Sequence, residues 1–167
     1  KIANAAEDAS FTQFQIQALL HIMHRKRQLG SPVNAPEVLP ASNGNSFVDL
    51  ELNGDTHMVR IVSYLAGLPC EEASPSAAQA KNLGVYLAHL GRELQDFAGE
   101  VANQDLLWDM KSALQLRVLL PHIGDQVLRG QVGDCLAVFE RTALPHFAEL
   151  RSQVIHNDFN PGNVLVD

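Results

Sequence analysis

VIHNDFNPGNVLVD, residues Val154 to Asp167, sets a polar insert between two apolar runs, and its reading decides what the rest of the chain is. Val154-Ile155 and Val164-Leu165-Val166 read as two short β-like pieces flanking a bend. Pro161-Gly162 supplies the turn. On a bend held between two strands, the side-chain oxygens of Asp158 and Asn163 are directed at a shared point, whereas on one straight strand they would splay. Asn157, just before Asp158, is a residue type that accepts a left-handed backbone readily.

The chain around this bend has 167 residues, 46% of them hydrophobic and 19% charged, which suits an ordinary globular protein of about one domain. Its formal charge is -7, and its longest basic run is the short HRKR at His24 to Arg27, which argues against nucleic acid or an anionic membrane as principal partner. Cys70 and Cys135 lie far apart, without metal-ligand spacing, and read as free thiols of a reducing, cytoplasmic compartment. No apolar stretch approaches the length of about 20 residues that spans a bilayer.

Periodicity divides the rest. Ser10 and Gln13 form a capping-box pattern ahead of Phe11, Phe14, Ala18 and Ile22, predicting a helix over about 11–29 closed by Gly30 and Pro32. Residues 31–46 read as an exposed connection. SFVDLEL and HMVRIVSYL, separated by NGDT, predict a hairpin with strands at about 46–52 and 57–64. Beyond a Gly- and Pro-punctuated stretch, Ser74-Pro75 reads as a cap. The stripe Ala80, Leu83, Leu87, Leu90, Leu94 and Phe97 then predicts one long helix over about 76–98 with a single buried face. Leu107, Met110, Leu114 and Val118 mark a third helix ended by Pro121. Val132, Leu136 and Phe139 mark a fourth, which Pro145 kinks or ends. The expected organisation is a small β-containing lobe at 1–66, a linker at 67–74 and a mostly helical lobe at 75–167.

Phosphoryl transfer asks a protein for positioned groups: a carboxylate near the acceptor hydroxyl and oxygen ligands for the magnesium that bridges the phosphates. Kinase catalytic loops provide a His, an Asp two residues later and an Asn five residues after the Asp. His156, Asp158 and Asn163 have that spacing. Asp158 would accept or orient the hydroxyl proton, and Asn163 would give its amide oxygen to Mg2+. The same pattern also arises in ordinary loops, where His caps a strand and Asp and Asn make local turn bonds.

At these residues the chain resembles the aminoglycoside phosphotransferase and choline kinase superfamily, whose usual loop is His-Gly-Asp-x-x-x-x-Asn followed by an apolar strand. VSYLAGLPC is similar to that family's hinge strand and its exit, and LGVYLAHLGREL to the first long helix of its C-lobe. DLLWDMKSALQLR resembles a segment of the hydroxylysine kinase-like branch. That branch also occurs fused to aminotransferases, so the resemblance admits such a fusion here. It implies an α+β, protein-kinase-like fold, present as a fragment: a partial N-lobe with a β-hairpin and a helical C-lobe ending at the catalytic loop. It also implies an ATP- and Mg2+-dependent kinase acting on a hydroxyl of a small amine-bearing metabolite, hydroxylysine or an amino alcohol. Lys1 would hold the nucleotide's α and β phosphates, the backbone of Ser63, Tyr64 and Leu65 would pair with adenine, and His156 would brace the loop.

The sequence departs from the family pattern in three places. Asn157 stands where Gly is commoner. Gln15 and Gln17 stand near the place of the Glu that usually pairs with the Lys. The phosphate-covering loop expected before Lys1 and the second metal-binding Asp expected beyond Asp167 are missing, so little activity is expected of these residues alone. A degenerate, nucleotide-binding regulatory module is the alternative, and a metal-dependent hydrolase using His156 and Asp158 as ligands is a third reading. Lys1 also reads as an ordinary solvated lysine. His21 and His24 share a helix face at a metal-compatible spacing but have no third ligand in view. Trp108 and Asp109 would either line an amine pocket or serve as a core anchor and a surface residue.

Overall fold

A computed structural model describes residues 1–6, 8–99, 106 and 109–166. Leu107, Trp108 and Asp167 therefore lie outside the described residues, together with any pocket role for Trp108. The fold is α+β, with small antiparallel sheets and a helical portion. The chain forms two compact units, one of Lys1–Ala102 with Gln153–Asp167 and the other of Asn103–Ser152.

The first unit opens with α1, Ala9–Leu29. Its cap is not the expected Ser10–Gln13 box: Asp8 takes the extended cap position and its carboxylate accepts from the Ser10 amide at 2.8 Å. A carboxylate at this position satisfies an otherwise orphaned helix N–H and faces the positive end of the helix dipole. Gly30 ends the helix at φ 66°, a left-handed conformation that glycine adopts without penalty, and its N–H reaches back to the Lys26 carbonyl.

The segment 31–46 was expected as an exposed connection, and the structure corrects this. Val33 is fully buried, and Val38 is buried in β1, Val38–Leu39. The reason is a pairing that local pattern does not encode. In the hairpin, β2 (Val48–Leu52) and β3 (Asp55–Val59) pair in full register across Asn53-Gly54, whose φ values of 55° and 89° meet the need of a two-residue hairpin for two positive φ angles. The expected second strand then breaks at Arg60, and β4, Ile61–Val62, pairs with β1 instead. Further on, β5, Leu68–Pro69, will pair with the end of the chain.

After the linker comes α2, Ala77–Glu93. Ser76, not Ser74, is its cap, because only Ser76 has a glutamine three residues on, and Ser76 and Gln79 form a complete capping box. The helix stops at Glu93, short of the expected 98. A turn then brings Phe97 back against Phe14 and His21, with ring centroids 5.3 Å away in each case. The buried face is also not the whole predicted stripe: Ala80 and Leu87 are exposed, and burial concentrates at Leu90, Glu93 and Leu94.

Helix α1 separates two cores. On one side Ile22, Val33, Leu90 and Leu94 pack together with Tyr86, Phe97 and Val154 around them. On the other, Ile16, Val38 and Met58 pack with Leu19, Leu20 and Met23. Each fully buried aliphatic side chain contributes about 1.5–3 kcal/mol. Arg25 fastens α1 to the end of α2, its Nε 2.6 Å from Glu93 and its Nη1 2.7 Å from Asp96. Lys26 and Arg27 face Glu37, so three members of the HRKR run lie beside acidic partners. His21 contacts the Glu93 carbonyl at 2.9 Å, and among the described residues no three His, Cys, Asp or Glu side chains gather as a metal site.

In the second unit, Met110–His122 winds as a 3-10 helix rather than an α-helix, capped by Asp109, which accepts from the Lys111 amide. Asp109 thus has a structural partner of its own. Helix α3, Gln126–Thr142, follows under an Asp125 cap, and Pro145 falls at the start of a second 3-10 turn, Leu144–Glu149, as its missing N–H allows. Arg117 makes a bidentate pair with Glu140 at 3.2 and 2.6 Å, which raises the guanidinium pKa and holds the Glu140 carboxyl below its ordinary value through those hydrogen bonds. Among the described residues no helix is long and apolar enough to cross a membrane.

Candidate functional site

The chain returns to the first unit as an irregular segment. Val154-Ile155 is not a strand, contrary to expectation, and Val154 instead packs onto the core formed by α1 and α2. The insert is held on its far side by a 3-10 turn, Pro161–Asn163, and then by β6, Leu165–Val166, which pairs antiparallel with β5. The Cys70 N–H donates to the Val164 carbonyl at 2.8 Å and the Glu71 N–H to the Pro161 carbonyl at 3.3 Å, so the residues directly after β5 fix the exit of the loop. Gly67 makes this approach possible. It sits at φ 133°, and a Cβ there would lie 3.0 Å from Leu165 Cβ and 3.2 Å from the Val166 carbonyl oxygen.

Within the loop, Asn157 takes φ 57°, the left-handed conformation its side chain tolerates. The two residues expected to converge do meet. Asn163 Nδ2 donates to the Asp158 carbonyl at 2.9 Å and to Asp158 Oδ2 at 2.8 Å. With its nitrogen committed to Asp158, the Asn163 amide keeps its oxygen for another partner. The second carboxylate oxygen of Asp158 is held by Asn160, whose Nδ2 lies 2.6 Å from Oδ1. Asn160 also accepts from the Gly162 N–H at 2.9 Å, a turn that Asn-Pro encourages. Sequence reasoning missed Asn160, although the Asn-Pro-Gly run was the available signal. His156 braces the loop from its other end: Nδ1 accepts from the Asp158 N–H at 3.3 Å, and its ring meets Phe159 edge-on at 5.9 Å. Asp158, Asn163 and His156 are all exposed, so they are open to a ligand from solvent.

The residues expected on the nucleotide side lie outside the strands: Ser63, Tyr64 and Leu65 follow β4, and Lys1 precedes the Ile2–Val59 bridge. The Ser63 N–H donates to the Glu37 carbonyl at 2.8 Å, and its hydroxyl accepts from the Glu37 N–H at 2.9 Å, which takes Ser63's amide out of contention for adenine. Among the described residues the amides of Tyr64 and Leu65 have no hydrogen-bond partner, and Tyr64 is 92% exposed. Lys1 is joined to Arg60 by two backbone hydrogen bonds, 2.7 and 2.9 Å, as a directly opposed antiparallel pair, so the two side chains emerge on one face. Among the described residues the exposed Lys1 side chain makes no hydrogen bond or ion pair with the loop. Gln15, in the place where a Glu was sought, accepts from Arg60 Nη2 at 2.9 Å, and Arg60 Nη1 also reaches the Thr12 carbonyl at 3.3 Å. The structure thus ties α1 to the strand through Arg60 rather than through Lys1.

The donor set at the loop is hard oxygen, a carboxylate and a carboxamide, which suits a magnesium ion that keeps several waters and phosphate oxygens as its remaining ligands. Asn160 and Asn163 each donate to one oxygen of the Asp158 carboxylate, which fixes its orientation in the loop.

The model of the phosphotransferase enzyme family matches residues 2–167. Hydroxylysine kinase of Bos taurus is 24% identical over 99% of this chain and 45% of its own length. Hydroxylysine kinase of Mus musculus is 23% identical over 100% of this chain and 46% of its own length. The chain therefore spans less than half the length of these curated relatives. No solved structure gives a significant match.

Proposed function

The chain belongs to the phosphotransferase enzyme family, and from that premise we propose that it carries the catalytic loop of a kinase that moves the γ-phosphoryl group of ATP to a hydroxyl on a small amine-bearing metabolite. Hydroxylysine, or an amino alcohol like it, is the acceptor we favour, since both curated relatives are hydroxylysine kinases. Residues 1–66 would form the nucleotide side, 67–74 the hinge and 75–167 the acceptor side.

The observation that carries this reading is the direct hydrogen bond from Asn163 to Asp158. It aligns a carboxylate that can take a hydroxyl proton with a carboxamide oxygen that can hold a metal. Asp158 orients the acceptor hydroxyl for attack and receives its proton. Asn160 and His156 keep the carboxylate and its backbone in place. Magnesium bound at Asn163 would neutralise charge on the phosphates. Lys1 would hold the α and β phosphates, and the free amides of Tyr64 and Leu65 would pair with adenine.

Phosphate transfer by the intact protein is the test, measured with hydroxylysine and simple amino alcohols in the presence and absence of magnesium. Turnover should require the metal, and Asp158→Ala should reduce it by about 10³-fold or more while leaving ATP binding within a few-fold. Retained turnover in Asp158→Ala removes Asp158 from the mechanism. Residues 1–167 by themselves should turn over little. The pairing of Gln15 with Arg60 favours a second reading, a regulatory module that binds nucleotide without catalysis. Magnesium-dependent ATP binding with no phosphorylated product from any tested acceptor would select it.

A further inference from the structure

Tyr86 lies on α2, outside the loop, yet it touches the loop beside its functional carboxylate. Its ring lies nearly parallel to that of Phe159, with centroids 6.3 Å apart and planes 22° from each other. Phe159 immediately follows Asp158, and its ring stands nearly perpendicular to that of His156, with centroids 5.9 Å apart. The Tyr86 hydroxyl donates to the Asn34 carbonyl at 2.6 Å, in the segment between α1 and β1. Burial pushes the phenol pKa above its ordinary value, against the opposing effect of the bond to Asn34, so the hydroxyl remains a donor across the neutral range. The hydrogen bonds of residues 155–160 all stay inside the loop among the described residues. The exit of the loop is pinned by β5 and β6 and its entrance by Val154 on the α1–α2 core and by Gln153 Nε2 donating to the Gly91 carbonyl at 2.9 Å, whereas its middle, beside Asp158, has the Tyr86 stack as its aromatic tie to the body of the unit.

We propose that Tyr86 is a positioning residue for phosphoryl transfer: its ring, carried by α2, holds Phe159 and thereby sets the direction of Asp158, with the bond to Asn34 an accessory. The proposal rests on the role assigned above to Asp158, through which Tyr86 acts without touching substrate. A ring on α2 does this better than a contact within the loop, because α2 is fixed by its own core at Leu90 and Leu94. A misplacement of about 1 Å in a reacting group is enough to lower turnover by about 100-fold.

Two variants of the intact protein separate the stack from the hydrogen bond. Tyr86→Phe keeps the ring and loses the bond to Asn34; Tyr86→Leu loses both. Hydrogen exchange is followed at the Asp158, Gly162 and Asn163 amides, and steady-state kinetics are measured with ATP and the best acceptor. Tyr86→Leu should speed exchange at these amides by about tenfold and lower kcat by at least about tenfold with the ATP KM within about twofold. Tyr86→Phe should keep loop exchange within about threefold of the parent and retain most of kcat. Unchanged loop exchange in Tyr86→Leu overturns the proposal, as does an equal loss in both variants or a loss that follows only a lower unfolding temperature. Should Tyr86→Leu not fold, Phe159→Leu removes the same stack from the loop side and is judged by the same outcomes. If the intact protein transfers no phosphate, the role of Asp158 falls, and the exchange measurement alone still decides whether Tyr86 holds the loop.

Discussion

Replacing Gly67 by Ala should loosen the loop of Asp158 and Asn163 although residue 67 is remote from it in sequence. At φ 133° an alanine pays for a backbone region that L residues rarely enter, about 1–3 kcal/mol. Its Cβ would also lie 3.0 Å from Leu165 Cβ and 3.2 Å from the Val166 carbonyl, and overpacking of this kind adds about 1–3 kcal/mol. The total, about 2–6 kcal/mol, falls on a two-stranded pairing only two residues long on each side. The pairing should therefore open rather than absorb the strain. Because the chain has two compact units, a single unfolding midpoint is a poor readout. The better one is hydrogen exchange at the Cys70 amide, which donates to the Val164 carbonyl across this junction. Gly67→Ala should raise exchange there by about 30-fold or more, 1.4 kcal/mol being tenfold. Gly84→Ala is the control: nothing lies within 4 Å of its Cβ position in the middle of α2, and the change should stabilise the helix by about 0.5–1 kcal/mol. Exchange at Cys70 that is unchanged in Gly67→Ala, or raised equally by Gly84→Ala, would refute the close approach of β5 to β6.

Asn163→Ala should weaken magnesium-dependent ATP binding by about tenfold or more while sparing metal-free nucleotide binding, as read by calorimetric titration. Asn157→Gly should change thermal stability by less than about 0.5 kcal/mol, whereas Asn157→Val, forced into φ 57°, should lose about 1–2 kcal/mol. Hydrogen bonds from the Ser10 hydroxyl and amide hold the Asp8 carboxyl below its ordinary pKa, so its contribution to α1 is complete above the unfolded value and is lost as pH falls through the lowered one. Asp8→Asn keeps a cap without a titrating group and should flatten the acid limb of an unfolding profile, while Asp8→Ala should weaken α1 already at neutral pH.

The parts of this fold that were legible in the sequence are those where one or two residues dictate a backbone angle. Asn53-Gly54 read as a hairpin turn and Gly30 as a helix end because those residues favour the positive φ angles such places need, and both are found there. The spacing of Asp158 and Asn163 was legible for the same reason, a turn of fixed length bringing two side chains together. What stayed hidden depends on partners distant in the chain. Val38-Leu39 is a strand only because Ile61-Val62 lies beside it, and Val154 left strand geometry for a place against the α1–α2 core. Helix caps were misplaced by a few residues, since several Ser and Asp side chains near each start were eligible and only the backbone direction chooses among them. Asn-Pro-Gly announces a turn at Asn160 without naming Asp158 as the partner of its amide, and nothing in the local pattern says where the Tyr86 hydroxyl will point.

The first compact unit is not one continuous stretch: the chain leaves it after Ala102 and comes back at Gln153. On a ribosome, this means that α1, α2 and their shared core emerge well before the bend that would carry out the chemistry. Rejoining across an excursion of about fifty residues costs about 3 kcal/mol in chain entropy, less if the intervening stretch has already collapsed into its own unit. Gly67 and Cys70 must therefore wait, with an unpaired edge, for the Leu165–Val166 strand, and a chaperone or protease that surveys nascent chains would meet that edge first.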